Sequence, residues 1–512
     1  MKKLLASLSI FILVMAGCSN AKETGQEKPV EKNGSKTLII ANGSDVSSFD
    51  IHNHNSTSTE SVHVNMFNYL VKNSGDKGFL PDLAESWENK DEKTWTFKLK
   101  EEVKFHNGED LTADDVKFTL ERVARDETLL ENGAYKQIKE VVVKNDYEFD
   151  IVTENPEPAL LNRLSRIGSG ILPKDYIEKE GWDVFLNHPI GSGPYKFKEW
   201  KKDDRLVLVP FEDYFGDAPK WEEVIFRSIP EDSTRVSEVI TGGVDIAFNI
   251  PPTDLERIES TEGVTTKKSP SQRVMLLVLR TDDGYATSDP RVREAIDLAI
   301  DKQAIVDSLL GGSATVTRTR VTPGNVGANE DLYGVTLYDP ERAKQLLAEA
   351  GYADGLTISF SANNGAYLKD KESVELMASM LAEVGITAKL ESMEASAFRT
   401  KYHDRAFGEM FLIGYGNSMF DASLALQRLQ FDQAKGETDY DNPKTEALLK
   451  SAESNMNLEE RVKQYQEAQE IIAEDRPQIY LYQLQSIYAV NERLNFEPRL
   501  DEMFYVDNIT LK

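Results

Sequence analysis

Asp339-Pro340-Glu341-Arg342-Ala343-Lys344-Gln345-Leu346-Leu347-Ala348-Glu349-Ala350-Gly351, with Leu356-Thr357-Ile358-Ser359-Phe360 close behind, carries the signals of a capped helix that leads into a strand. An aspartate accepts from the orphan N–H groups of a first helical turn, and proline at the first helical position gives up a donor that has no partner there anyway. Ala343, Leu346, Leu347 and Ala350 then recur on one face, and Gly351 closes the helix. Residues 356–360 form a short apolar run of strand length. A second helix is expected over 373–384 and, after Gly385, a second strand at Ile386-Thr387-Ala388-Lys389-Leu390. Helices alternating with strands indicate an α/β domain in the C-terminal half.

Working outward, the same start signal stands at Asp289-Pro290, with Val292, Ala295, Ile296, Ala299 and Ile300 on one face. Thr112-Ala113-Asp114-Asp115 has the spacing of a capping box ahead of another helix. Thr37-Leu38-Ile39-Ile40-Ala41 reads as a buried strand, and Trp95-Thr96-Phe97-Lys98-Leu99-Lys100 alternates like a half-buried one. Val141-Val142-Val143 and Phe149-Asp150-Ile151-Val152 flank Asn145-Asp146 as a hairpin. The chain is mixed α/β, and its 512 residues suggest two or three domains.

The N-terminus reads as an export signal over 1–17: Lys2 and Lys3, a short apolar run, then Ala16-Gly17. Cys18 follows, the only cysteine of the chain, so no internal disulfide is possible. Val14-Met15-Ala16-Gly17-Cys18 resembles a bacterial lipobox, with Met15 in place of the usual leucine; the resemblance implies lipidation of Cys18 and an anchor on the outer face of a cell membrane, of the Gram-positive type. Residues 18–35 are nearly devoid of apolar side chains and read as a flexible tether. Fully extended it would reach on the order of 60 Å. The net charge of −28 argues against nucleic acid or an anionic lipid surface as the partner of the body. Phosphate-loop, zinc-protease and nucleophile-elbow signatures are missing, and Cys18 is spent on the anchor, so the chain reads as a non-enzyme.

Five stretches resemble the extracytoplasmic peptide and nickel solute-binding family of ABC importers. They are Leu80-Pro81-Asp82-Leu83-Ala84-Glu85-Ser86-Trp87; the Trp95 strand running through Val103-Lys104-Phe105-His106-Asn107-Gly108-Glu109 to Val116; Pro189-Ile190-Gly191-Ser192-Gly193-Pro194-Tyr195-Lys196-Phe197; Tyr214-Phe215-Gly216 with Ile229-Pro230 and Gly243-Val244-Asp245-Ile246-Ala247; and Asp289-Pro290-Arg291-Val292-Arg293-Glu294-Ala295 through Lys302. They stand in order from Thr37 onward. Trp87, Trp95 and Phe105 are expected in the core, and Gly191 and Gly193 in a turn with positive φ.

The resemblance implies a two-lobed, hinge-closing periplasmic-binding-protein-like fold with an extra third domain. Domain I would combine 36–70, 206–275 and 481–512; domain II would be the insertion 71–205; domain III would be 276–480. The apolar runs 274–279 and 479–483 would form the hinge. The implied function is capture of short peptides or peptide-like solutes and delivery to a membrane permease, as a monomer and without a cofactor. The alternatives are a metal–chelator complex, a glutathione-like or opine ligand and, in another class, an exported hydrolase.

The resemblance also points to a site. In peptide-binding relatives an aspartate in a Gly-Trp-x-x-Asp-type loop meets the ligand ammonium. The matching loop here reads Gly414-Tyr415-Gly416-Asn417-Ser418-Met419-Phe420-Asp421. Ser418 stands where that aspartate is expected, and Asp421 falls on a second acidic position. Either Asp421 takes over, or the ligand lacks a conventional amino terminus. The nickel branch offers another match, through Tyr415-Gly416 and Phe420-Asp421-Ala422. Tyr415, Asn417, Ser418, Phe420 and Asp421 are therefore candidate ligand contacts. Of Arg163 and Arg166, Arg166 aligns better with an arginine that clamps ligand carboxylate in the nickel branch. The polar run Asn55 to Glu60, with Ser58 and Thr59, is expected to face the cleft. Imidazole binds transition metals, so His52, His54 and His63 are candidates for ligation, but their spacing suits no closed zinc site and no metal is assigned.

Overall fold

In the computed structural model, which describes residues 36–75 and 78–512, both Asp-Pro pairs start helices. Asp339 accepts from Arg342 N at 2.9 Å ahead of the helix Pro340–Glu349, and Asp289 accepts from Arg291 N at 2.9 Å ahead of Pro290–Ala299. Thr112 N donates to Asp115 Oδ2 at 2.9 Å, the reciprocal half of the capping box, before the helix Ala113–Arg125. The signal segment, Cys18 and the tether lie outside the described residues.

The expected α/β alternation is present. Strand Leu356–Asn363 pairs parallel with Ile386–Met393, with Leu356 opposite Ile386. The helix between them, Asp370–Glu383, starts three residues earlier than expected. Lys369 turns into the left-handed region (φ 55°), and the Asp370 carboxylate gathers the amides of Gly365, Ala366 and Tyr367.

These strands belong to one eleven-stranded sheet. From one edge the order is Ile386–Met393, Leu356–Asn363, Met410–Tyr415, Val264–Leu279, Gln478–Asn491, Ile246–Phe248, Thr37–Asn42, Glu223–Ser228, Arg205–Pro210 and Tyr195–Lys201, with Ala314–Val316 also pairing Gln478–Asn491. The runs expected as crossing strands are the inner parts of Val264–Leu279 and Gln478–Asn491, which pair antiparallel along most of their length. Met275, Leu277 and Leu279 pack into one core cluster with Ile296, Phe360 and Met377. Val274, Leu276 and Val278 face the opposite cluster with Phe411 and Ile472. Alternate residues thus bury both faces of the strand, which is why it reads as an unbroken apolar run.

A separate four-stranded antiparallel sheet holds the Trp95 strand and the predicted hairpin, with Val143 opposite Phe149. Phe97, Phe105, Val116 and Phe149 form its core, with Trp87 and Trp95 half-buried against it. A third core surrounds the N-terminal strand, with Leu38, Ile40, Val224 and Ile246.

One expectation is corrected. Gly191 and Gly193 do not adopt positive φ. A Cβ on Gly191 would stand 2.0 Å from Met66 O, and one on Gly193 would stand 2.6 Å from Asn65 O. Backbone proximity, sealed by Gly193 N donating to Met66 O at 2.8 Å, is what requires glycine. Among the described residues no helix is long and apolar enough to cross a membrane.

Candidate functional site

The cleft is built on a break in a ladder. Val264–Leu279 pairs with its partner up to Pro270, opposite Gln485, and again from Val274, opposite Gln483. Ser271, Gln272 and Arg273 therefore oppose Leu484 alone. Proline has no N–H for the ladder, so a bulge at this point is the natural outcome. Side chains satisfy the exposed backbone: Ser271 Oγ donates to Leu484 O at 2.8 Å, and Gln483 Nε2 donates to Ser271 O at 2.6 Å. The bulge turns Gln272 and Arg273 into a cavity of about 270 Å³.

Four other segments close that cavity: Asn55, Thr57, Glu60 and Tyr69; Ser165 to Ile167; Gly416 to Ser418 with Phe420; and Asp501 to Met503 with Tyr505. Two contacts lock the second segment to the third. Arg166 Nε donates to Ser418 Oγ at 3.0 Å, and Asn162 Nδ2 donates to Met419 O at 2.7 Å. Arg166 also pairs with Glu131 at 2.5 Å.

The polar groups of the wall are under-used. Gln272 is 8% exposed, and neither end of its amide has a hydrogen-bond partner. Asn417 donates through Nδ2 to Asn325 at 2.8 Å, while its Oδ1 has none. The Arg273 guanidinium makes no ion pair among the described residues; it lies 3.5 Å from Gly414 O and over the Tyr367 ring at 5.5 Å. Burial raises the Glu502 carboxyl, against the opposing charge of Arg273, and Ser486 Oγ donates to it. Asp501 pairs with Arg499 at 2.5 Å. Buried polar atoms are nearly always partnered, so an unsatisfied amide in a cleft wall is available to a solute.

The structure brings Arg166, Asn417, Ser418 and Phe420 to the cavity as expected sites. It removes others. Asp421 is 0% exposed and points away: it accepts from Arg461 Nη1 at 2.7 Å and Nη2 at 2.6 Å, and from Ser423 N at 2.9 Å as the cap of the helix Ala422–Leu426. A carboxylate buried and paired in this way is not presented to a ligand ammonium in the cavity. Tyr415 is buried, with its hydroxyl 2.8 Å from Tyr402 and donating to Glu437 at 3.0 Å. Ser58 and Thr59 also miss the cavity, because the helix Thr57–His63 turns positions 57 and 60 toward it. Thr59 instead meets Ser47 at 3.0 Å. Gln272, Arg273 and the 501–505 segment escaped sequence reading. Pro270 inside an apolar strand was the available signal.

The histidines divide. His52 Nδ1 lies 2.6 Å from Arg122, which is bidentate to Asp50. Burial, with the Arg122 charge, pushes His52 down to about 3. His54 and His63 meet each other and Glu60 instead, and these three could hold a metal ion. Burial pushes His54 down to about 4 and Glu60 up to about 7. Tyr69 OH donates to Glu60 Oε1.

The model of the family "Bacterial extracellular solute-binding proteins, family 5 Middle" matches residues 78–437. The glutathione-binding protein GsiB of Salmonella paratyphi A is 28% identical over 491 residues, spanning 93% of this chain and 95% of GsiB. DppA of Helicobacter pylori, an ABC transporter-associated periplasmic binding protein solved with the peptide STSA, aligns with a TM-score of 0.79 at 26% identity, over 93% of this chain and 98% of that one. NikZ of Campylobacter jejuni, solved with Ni(L-His), aligns with a TM-score of 0.77 at 26% identity, over 93% and 99%.

Proposed function

The chain belongs to the family 5 bacterial extracellular solute-binding proteins, and from that premise we propose that its cleft captures short peptides or peptide-like zwitterions for import. Family membership makes it an extracytoplasmic substrate-binding component of an ABC transporter, a binding protein and not a catalyst. The ligand class is our reading. It is carried by the Gln272 amide, buried with both ends unpartnered beside Arg273, which makes no ion pair among the described residues. A peptide unit presents one N–H and one C=O, the complement of that amide. A ligand carboxylate suits the Arg273 fork, and an ammonium suits Glu502. Leaving such groups unpaired costs about 1–3 kcal/mol each, which a matching ligand recovers. Glutathione, which GsiB of Salmonella is named for binding, is a tripeptide with both charges and falls within the class.

Capture proceeds by hinge closure. Segments 36–70, 206–275 and 481–512 form one lobe and 276–480 the other, with 71–205 inserted. Ligand shifts the open–closed balance by its differential affinity for the two states. The Arg166–Ser418 contact is a latch of the closed form. A lipid on Cys18 holds the protein at the membrane, and the tether lets the body dock on its permease.

Native mass spectrometry of protein purified from its own host tests the ligand. A bound di- to pentapeptide or glutathione-like mass is expected. A metal–chelate or opine mass, or turnover of a peptide library, overturns the reading. For the anchor, Cys18→Ser is expected to release the protein into the medium; retention on cells contradicts it.

A further inference from the structure

We propose that His54, Glu60 and His63 form a resident site for a zinc-class divalent cation, set in the wall of the solute cavity that Glu60 lines. The donor atoms carry the argument. His54 Nε2 lies 3.2 Å from His63 Nδ1. Glu60 Oε2 lies 3.5 Å from His54 Nε2 and 3.8 Å from His63 Nδ1. The point equidistant from these three atoms in their plane is about 2.0 Å from each, the bond length of zinc to imidazole and carboxylate. An ion that takes a fourth ligand sits out of that plane, slightly farther from each atom, and its ligand–ligand edges of roughly 3.3 Å are closer to the 3.2 and 3.5 Å separations than to the 3.8 Å one.

Chemistry agrees with geometry. All three residues are buried. Glu60 Oε2 has no hydrogen-bond partner, and among the described residues Glu60 makes no ion pair with lysine or arginine, Arg166 being held by Glu131. The Arg166 charge acts on Glu60 only from outside ion-pair distance, and a divalent ion supplies a direct counter-charge. Burial keeps both imidazoles neutral, the state that ligates. Tyr69 donates to the other carboxylate oxygen and orients it, the outer-shell device that metal sites use. Ser56 N donates to His54 Nδ1 at 3.4 Å, which leaves the ring proton on Nε2; ligation through Nε2 takes the other tautomer and gives up that long contact. The sequence already holds the pattern: Glu60 and His63 are three apart on one helix face, with His54 folded back from the preceding loop.

The donors lie within ten residues of one another and need no contribution from the solute or the opposite lobe. The ion would rigidify the wall from which Asn55, Thr57 and Glu60 face the cleft. Two imidazoles and one carboxylate suit zinc, cobalt or nickel over magnesium or calcium.

Metal-stripped full-length protein, with no chelating solute present, is titrated with Zn²⁺ by calorimetry and with Co²⁺ by absorption. One ion per chain is expected, with at least hundredfold weaker affinity in His54→Gln and His63→Gln and no change in Arg273→Ala. Zn²⁺ should raise the melting temperature of the wild type and of Arg273→Ala, but not of the histidine variants. X-ray absorption of the wild-type zinc form should show two imidazoles, a readout that stands if the variants fail to fold. Absence of stoichiometric uptake by the wild type, unchanged affinity in both folded histidine variants, or fewer than two imidazoles overturns the site and assigns the cluster to proton sharing. Because no solute is used, these outcomes are independent of whether the cleft takes peptides.

Discussion

Ser418 and Asp421 lie three residues apart in one loop, and burial gives them opposite roles. Ser418 reaches the cleft and meets Arg166, whereas Asp421 is sealed against Arg461. Removing one partner of a buried, bidentate pair leaves the other charge uncompensated, at about 3–5 kcal/mol. Asp421→Asn should lower unfolding stability by that order in denaturant titration, and an unchanged midpoint would contradict the buried pair. Gln272 is the converse case. Its buried amide has no hydrogen-bond partner within the protein. Gln272→Leu should leave stability equal or raise it by about 1 kcal/mol. The same change should weaken binding of the co-purified ligand at least tenfold by calorimetry. A less stable variant with unaltered affinity would remove Gln272 from the site.

At the scale of elements, regular structure follows local signals and the cleft follows their interruption. The Asp339 cap is ordinary chemistry, so Asp339→Ala should cost about 1 kcal/mol, read as a small drop in melting temperature. The loop at Gly191 is less forgiving. Its backbone runs against Met66 O, and a methyl group there stands 2.0 Å from that oxygen. Gly191→Ala should therefore cost about 3 kcal/mol, the upper end of overpacking penalties. A melting temperature within error of wild type would show that the loop can retreat.

At the scale of the whole molecule, pH sensitivity is set by buried imidazoles. Burial pushes His52 down to about 3, His54 and His106 to about 4, and His63 well below its ordinary value. His106 shows why: Gly191 N donates to its Nδ1 at 3.2 Å, and its Nε2 faces Gly193 O at 2.9 Å, so both nitrogens are committed to the neutral form. A base whose folded pKa is depressed contributes stability present above its unfolded value, near 6.5, and lost as pH falls toward its folded value. Glu60, raised to about 7, and Asp507, raised to about 6, act oppositely: their burial penalises the charged form, so they lose stability as pH rises. Asp115, Glu453 and Glu502 are raised as well, whereas carboxylates held low by cations, such as Asp297, act with the four imidazoles and set the net direction. In metal-free protein the melting temperature should fall as pH drops from about 7 to about 4, and less steeply in His106→Asn than in wild type. A flat profile would contradict the neutral buried histidines.

Helix starts at Asp289 and Asp339, the Thr112 box, the 141–152 hairpin and the apolar core strands were legible because each depends on residues within a few positions. The family-like stretches carried the fold further, since their order along the chain specifies a whole architecture. The site was legible only in part. Arg166 and Ser418 were singled out separately, but their contact joins residues 252 apart. Whether a carboxylate meets a ligand or a hidden arginine depends on which surfaces close over it, and Asp421 and Arg461 are 40 residues apart. Residue patterns along the chain were enough for the α/β class and the kinship. Tertiary packing alone decided which polar groups were left without partners, because hydrogen-bond satisfaction is settled by long-range neighbours that no local pattern records.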